Sequence, residues 1–373
     1  MAAPREIVWP LEPHTRAKHE ILKRYLQAWI PILTRGGFPE IMYVDGCAGP
    51  GQYSEGEDGS PIIALRIAFQ QPVHVRTNIR FVFIEEIEDR ADFLSEIIAN
   101  LSIPDNCQIE LCGGESFETA FGRVLDSYNN ADQPLPPTFA FIDPFGYSDV
   151  PLSIVHEILR HTGCEVLVNF MYEEINRFLS LSNQESNFDA LFGTHEWREG
   201  RRHAEPRTRK RFLHNLYYRQ LRDGAGAKYV RSFEMRNIKN RVDYYLFYAT
   251  NSILGLSRMK DAMWKVDESG EFTFSDATDP NQTILFANEP RFDFLRNQLL
   301  ARFGGREVSV ADVQQFVLEE TAFRETHYRR VLKGLERAEP PVIEIVDPPP
   351  GRRRGTYPER LKSMKLRFRS DSS

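Results

Sequence analysis

An apolar run that ends in an acid and breaks into glycines places the strongest limit on this chain. It reads Ile41-Met42-Tyr43-Val44-Asp45-Gly46-Cys47-Ala48-Gly49-Pro50-Gly51, with the spacing Asp-x-x-x-Gly-x-Gly. Such a segment predicts a strand feeding a loop whose backbone approaches something closely, because glycine alone accepts positive φ and carries no Cβ. Backbone N–H groups in such a loop can point at a polar ligand, and the acid at the strand end can accept from an amine or hydroxyl. A plain strand-to-helix turn is the alternative, so the following segments decide between them.

Those segments alternate. Pro61 opens a helix with Ile62, Ile63, Leu65, Ile67 and Ala68 apolar, and the strand Arg80 to Ile84 then ends in Glu85-Glu86. Strand, glycine turn, helix and acid-ended strand make a βαβ unit, in which the second acid takes ribose hydroxyls. Further strands are predicted at Gln108–Leu111, Thr138–Ile142 and Glu165–Phe170, with helices at 91–100, 117–128 and 154–161 between them. Asp45, Glu85, Glu115 and Asp143 stand at or just beyond four strand ends. Ligands of such sheets bind beyond the carboxyl ends of the strands.

Upstream, Ile21, Leu22, Tyr25, Leu26, Trp29 and Leu33 repeat at helical spacing behind Thr15, a candidate cap. Lys18 and His19 then fall in the first turn, where the helix dipole disfavours cations. They either face a bound anion or form a solvated pair. Downstream, residues 172–225 read as a polar helical insertion, followed by a strand at Val242–Thr250. Met259, Met263 and Trp264 follow at helical spacing and suit a core. Asp276 to Asn288 is a turn-rich boundary. Helices at 310–320 and 325–337 precede alternating strands at 342–346 and 364–368, which suggests a winged helix. The expected organisation is a domain over 1–275 and a winged-helix-like domain over 289–373.

The net charge of −6 conceals an uneven distribution. Residues 1–150 hold 11 Lys/Arg against 22 Asp/Glu, whereas residues 201–260 hold 15 against 4. Basic residues mixed with aromatics suit a nucleic acid, since cations pair with phosphates and rings stack on bases. Arg201, Arg202, Arg207, Arg209, Lys210 and Arg211 form one candidate surface, and Arg352, Arg353 and Arg354 between the last two strands form another. A solvated helical face is the alternative for the first. No apolar run approaches the ~20 residues of a membrane span, and the N-terminus lacks the apolar region of an export signal. A cytoplasmic protein is expected. The four cysteines form no C-x-x-C pair, so reduced thiols and no metal site are expected.

The glycine loop and its acids resemble the first motifs of class I S-adenosylmethionine-dependent methyltransferases. Four segments together resemble the three-Cys-motif partner (TcmP) family: Thr15-x-x-Lys18-His19-x-Ile21-Leu22, Val44-Asp45-Gly46-x-Ala48-Gly49-Pro50-Gly51, Phe141-Ile142-Asp143-Pro144-Phe145-Gly146 and Met259-Lys260-Asp261-Ala262-Met263-Trp264. Cys47 departs from the aromatic expected at its position. The resemblance implies an α/β fold: a Rossmann-like class I methyltransferase sheet with a helical insertion and a C-terminal winged-helix-like domain. It implies S-adenosylmethionine as cofactor and a separate partner with a three-cysteine motif suggestive of radical-S-adenosylmethionine chemistry. By the resemblance, Asp45 and the backbone of Gly46, Gly49 and Gly51 line the methionine end, Glu85 takes the ribose and Glu115 lies near the adenine amine. Asp143-Pro144-Phe145-Gly146 also resembles the motif of tRNA guanine N2-dimethyltransferases.

Chemically, methyl transfer to an amine needs an aligned, desolvated nucleophile. Asp143 supplies an N–H acceptor, the Pro144 carbonyl a second, and Phe145 a ring against a flipped base. The expected function is methylation of a nucleobase amino group in RNA or DNA. The alternatives are a non-catalytic nucleic-acid-binding or scaffolding subunit of the partner complex, and a winged-helix DNA regulator. The lack of a Pro-Cys dipeptide argues against pyrimidine C5 methylation, and no Gly-x-Ser-x-Gly elbow is present.

Overall fold

The computed structural model describes residues 6–71, 76–148, 150–269, 271–275 and 291–369. It divides into two compact units: residues 1–262 with 273–282, and residues 263–272 with 283–373. The boundary expected at 276–288 lies outside the described residues.

The first unit alternates strands with helices. In chain order it runs α1 (Pro13–Arg35), β1 (Glu40–Asp45), α2 (Ser60–Phe69), β2 (Asn78–Glu85), α3 (Glu88–Ala99), β3 (Cys107–Gly113), α4 (Phe117–Asn130), β4 (Thr138–Ile142), α5 (Leu152–Leu159) and β5 (Glu165–Phe170). Three helices follow, α6 (Tyr172–Phe178), α7 (Glu185–Phe192) and α8 (Pro206–Arg219), then β6 (Tyr229–Arg236), β7 (Val242–Thr250), α9 (Ile253–Val266, of which residues 263–266 fall in the second unit) and β8 (Thr273–Ser275). The sheet order is β3-β2-β1-β4-β5-β7-β6-β8. Strands β1 to β5 are mutually parallel, whereas β7 runs antiparallel to both β5 and β6.

Burial explains the apolar runs. All of β4, β5 and β7 is buried, as strands covered on both faces must be. The order reverses at β1, which pairs with β2 on one side and β4 on the other. Chain leaving β1 and chain leaving β4 therefore diverge to opposite faces and open a crevice at their carboxyl ends.

Helix α1 starts at Pro13 behind Glu12, not at a Thr15 cap. Proline suits a first-turn position because its missing N–H has no intrahelical partner there. A buried polar cluster ties α1 to the sheet: the Tyr25 hydroxyl donates to Glu165 of β5, which also accepts from Thr250 of β7. The antiparallel partner β6 escaped the sequence reading because its buried residues, Tyr229, Val230, Phe233 and Met235, do not alternate regularly with polar ones.

The second unit holds α10 (Phe292–Phe303), β9 (Glu307–Ser309), α11 (Val310–Glu320), α12 (Tyr328–Arg337), β10 (Ile343–Ile345) and β11 (Lys365–Phe368), with sheet order β10-β11-β9. Ser309 and Asp312 form a reciprocal capping box at α11. Three helices and a three-stranded antiparallel sheet make a winged helix-turn-helix. Helix α10 and strand β9 were not anticipated, although Leu295, Leu299 and Phe303 are buried at helical spacing.

Candidate functional site

A cleft opens where the strand order reverses. It has two chambers that share Cys47, Pro144 and Phe145 as common wall residues, a larger one with about 960 Å³ of empty space and a smaller one with about 620 Å³, open solvent included. The glycine loop lines both. Gly49 and Gly51 have φ of +62° and +78°, which L side chains rarely adopt. A Cβ at Gly51 would lie 2.5 Å from Leu94 Cδ1, and one at Gly46 2.7 Å from the Phe117 ring. The loop is pinned from below, since Gly46 N donates to Phe141 O and Ala48 N to Ile84 O, each at 2.8 Å.

Glu85 latches this loop to the end of β2. Its Oε2 accepts from Gly49 N at 2.8 Å and its Oε1 from Ile87 N at 3.0 Å. Burial raises its pKa, and the two N–H groups and Arg90 partly offset that rise. Each oxygen accepts one backbone N–H, which leaves a lone pair on each for a ligand hydroxyl. Glu85 lines the smaller chamber with Gly46, Ile87 and Phe117.

Two of the four acids stand elsewhere. Asp45 is fully buried and lines neither chamber, so it sits behind the loop and not at its surface. The Tyr43 hydroxyl donates to its Oδ2 at 3.1 Å, while Oδ1 has no partner of good geometry. Burial pushes the Asp45 carboxyl up to about 7, against the pull of Ser60, Tyr43 and the Cys47 N–H. Glu115 pairs with Arg123 and lines neither chamber. Strand β3 ends at Gly113, and Gly114, with φ of +74°, turns the chain before Glu115.

Asp143 follows β4 and lines the larger chamber. Lys18 Nζ donates to its Oδ2, and Asn169 Nδ2 to its Oδ1 at 2.7 Å. Asn169 comes from neighbouring β5, so adjacent strand ends and α1 converge on one carboxylate. Lys18 and His19 are therefore not a solvated pair: they are 4% and 6% exposed, in the second turn of α1, and both line this chamber. Their signal was the paired Lys-His of the first motif, but only the fold turns that face inward. Phe145 is packed edge-on to Trp9 at 5.6 Å, with the Arg90 guanidinium 4.8 Å from the Trp9 ring and 5.3 Å from the Phe145 ring. Its ring thus forms part of the wall between chambers. Trp9, Lys18, His19, Asn169 and Tyr244 are wall residues absent from the sequence-based site.

The basic run of the insertion is largely spent on its own fold. Arg201 donates to Glu185 at 2.6 Å and to Leu179 O at 2.7 Å, and lies over the Trp197 ring. Arg202 pairs with Glu199, Arg209 bonds His203 O and Asn176, and Lys210 reaches Glu234 at 3.4 Å. Arg207 and Arg211 are exposed. The expected single basic surface is thus reduced to a few exposed residues, because Glu185, Glu199 and Glu234 pair with Arg201, Arg202 and Lys210, and the His203 carbonyl and Asn176 hold Arg209.

In the second unit, a groove between α12 and the segment joining β10 to β11 is lined by Arg329, Arg330, Lys333, Arg353 and Arg360 and by no acidic residue. Arg352 departs from the expected role. Its guanidinium pairs bidentately with Glu336 at 2.7 and 2.8 Å, with side chains 5% and 8% exposed. It is a fastener, while Arg353 and Arg354 are exposed.

None of the four cysteines is in a disulfide. Among the described residues no cluster of His, Cys, Asp or Glu could hold a metal ion, and no helix is long and apolar enough to cross a membrane.

Residues 273–350 match the family described as GMT-like wHTH domain. Among curated proteins none matches. Similar solved structures include the O-methyltransferase of Bacillus cereus in complex with SAH, at 14% identity and TM-score 0.34 over 61% of this chain and 80% of that one. A putative S-adenosylmethionine-dependent methyltransferase of Methanococcus maripaludis is similar at 14% identity and TM-score 0.28, over 68% and 97% of the two chains. Geranyl diphosphate C-methyltransferase of Streptomyces coelicolor is similar at 14% identity and TM-score 0.24, over 57% and 72%. The fold itself is read from strand order: the chain has a Rossmann-like, methyltransferase-type sheet and a C-terminal winged helix-turn-helix.

Proposed function

We propose that this chain is an S-adenosylmethionine-dependent methyltransferase acting on a nucleobase amino group in RNA or DNA. One observation carries the reading: the Glu85 latch on the glycine loop and the Asp143-Pro144-Phe145 turn wall a single cleft at the switch point of the sheet. The residues fit the cofactor. Glu85 keeps a lone pair on each oxygen for a ribose diol, Gly46 and Ile87 leave an apolar slot beside it, and the loop turns through Gly49 and Gly51 around the larger chamber. Asp45 supports the loop from behind. When bound, the sulfonium of S-adenosylmethionine supplies an electrophilic methyl group.

The chain's own residues would then orient the acceptor. Lys18 and Asn169 hold the Asp143 carboxylate in one orientation, so it meets an amine N–H without first being reorganised. The Pro144 carbonyl offers a second acceptor. Trp9, Tyr53, Phe145 and Tyr244 give the larger chamber aromatic walls suited to a flat acceptor and to exclusion of water. The basic groove beside α12 suits a phosphate backbone, which would bring the polymer to the protein. The family resemblance adds a three-Cys-motif partner protein as the setting in which the enzyme works.

The test is methyl transfer from labelled cofactor to total RNA and DNA, with Asp143→Ala as the comparison. The variant should lose transfer yet still bind S-adenosylhomocysteine; an unchanged rate would remove Asp143 from its role. A second reading is favoured by the same carboxylate. Both Asp143 oxygens already accept from protein donors, and Lys18 would compete with an incoming amine. A non-catalytic nucleic-acid-binding or scaffolding subunit would bind cofactor but transfer no methyl group, with or without the partner.

A further inference from the structure

The wall that separates the two chambers is built by side chains from three segments of the chain. Arg90 of α3 is 2% exposed and lines the smaller chamber, Trp9 lines the larger one, and Phe145 lines both. The Arg90 guanidinium lies against both rings, and the rings meet edge to face. Trp9 also meets Tyr53 edge to face at 5.9 Å. On the glycine loop, the atom nearest to a Cβ built at Gly49 is Cη2 of Trp9, at 3.9 Å. The indole therefore stands before the bare backbone of that loop.

A cofactor is one covalent molecule. With its ribose on Glu85 in the smaller chamber and its methionine end along the loop in the larger, it has to cross this wall. The three groups differ in how they are held. Arg90 belongs to a helix of 12 residues, and Phe145 follows Pro144 in the turn directly behind β4. Trp9 lies in the irregular segment before α1, where Ser54 N donates to its carbonyl at 3.0 Å. Its ring rests on one cation–π contact and two edge contacts, each of modest strength. Trp9 is thus the part of the wall that can move without breaking a helix or strand hydrogen bond.

We propose that Trp9 is a gate: its ring closes the passage between the chambers, and the cofactor binds by displacing it from Arg90 and Phe145. This rests on the cofactor reading above. A gate that has to open lowers apparent affinity by the fraction of molecules in which it stands open. Loss of a desolvated cation–π contact together with ring-edge contacts sets that factor at about tenfold. The effect falls only on a ligand that crosses the wall, so adenosine, held in the smaller chamber, escapes it.

The experiment titrates the full chain with S-adenosylhomocysteine and with adenosine, read by calorimetry and by acrylamide quenching of tryptophan fluorescence. Trp29, Trp197 and Trp264 are buried and Trp9 is half-buried, so quenching reads Trp9. In wild type, S-adenosylhomocysteine should increase quenching as the ring leaves its contacts, and adenosine should leave it unchanged. Trp9→Ala should bind S-adenosylhomocysteine about tenfold more tightly than wild type, and adenosine equally well. Quenching that falls or stays constant as S-adenosylhomocysteine binds to wild type would show a ring that stays in place, and would overturn the gate. Weaker or unchanged S-adenosylhomocysteine binding by a Trp9→Ala chain that still binds adenosine would overturn it too. The quenching readout uses wild type alone, so it decides even where Trp9→Ala does not fold. Failure of both wild type and Trp9→Ala to bind S-adenosylhomocysteine would overturn the cofactor reading, and the gate with it.

Discussion

Truncating Arg352 should unfasten the winged-helix unit without removing a nucleic-acid contact. Its guanidinium and the Glu336 carboxylate form two charge-assisted bonds at 2.7 and 2.8 Å, nearly sealed from solvent. Glu336 also accepts from the Tyr357 hydroxyl at 2.7 Å and from Gly355 N at 2.8 Å, and the Arg352 guanidinium lies 5.1 Å from the Tyr357 ring. Arg352→Ala leaves the Glu336 charge buried with only neutral donors. Breaking a buried pair in this way costs about 3–5 kcal/mol. The two remaining donors place this case at the low end, about 3 kcal/mol or roughly a 100-fold rise in local opening. Arg353 is exposed, and its truncation should cost within about 0.5 kcal/mol. Hydrogen exchange on the full chain reads the difference through amides of α12, and fluorescence anisotropy with a labelled duplex reads binding. Arg352→Ala with full protection of α12 but lost duplex binding would refute the fastener assignment.

Two further outcomes follow from the same structure. Lys333→Glu, on the exposed face of α12, should weaken binding of RNA or DNA of any sequence and flatten the salt dependence by about one unit of log–log slope or more; unchanged anisotropy titrations at two salt concentrations would exclude the groove. Glu165 governs a pH dependence of stability. Burial, against hydroxyl donors from Tyr25, Thr250 and Tyr248, pushes its carboxyl up to about 7. The folded chain then holds a proton that the unfolded chain releases, so this contribution is full at low pH and is lost as pH rises through 7. Between pH 6 and 8 it amounts to about 1.4 kcal/mol. Asp45, also raised to about 7, runs in the same direction, and His19, with its pKa lowered, runs in the opposite one below about 6.5. Glu165→Gln removes one contribution alone, so its unfolding should lose that share of the pH dependence relative to wild type; parallel profiles would contradict it.

The parallel half of the sheet was legible because fully buried strands must be continuously apolar, as Phe139-Ala140-Phe141-Ile142 is. Acids just past such runs were legible too, but not which of them face a ligand. Glu85 and Asp143 reach the cleft because their chains leave the sheet beside the reversal at β1 and β4. Asp45 is covered by its own loop, and Glu115 is drawn to Arg123 after an extra glycine turn. Charge patterning misled most. Arg201 and Arg209 look like a basic surface in one dimension, yet Glu185, the Leu179 carbonyl and the His203 carbonyl meet them in three. Lys18 shows the converse: a cation near a helix start is unfavourable by dipole, and here Asp143, far along the sequence, offsets that cost.

The measurement that bears most directly on the central claim is calorimetric titration of wild type and Glu85→Gln with S-adenosylhomocysteine. Glu85 both latches Gly49 and faces the smaller chamber, so one substitution weakens the loop and the ribose contact together. Binding by wild type, with a loss of at least tenfold in Glu85→Gln, is the predicted result. Equal binding by the two proteins would place the cofactor somewhere other than this cleft, and no binding by wild type would contradict the enzyme reading of the fold.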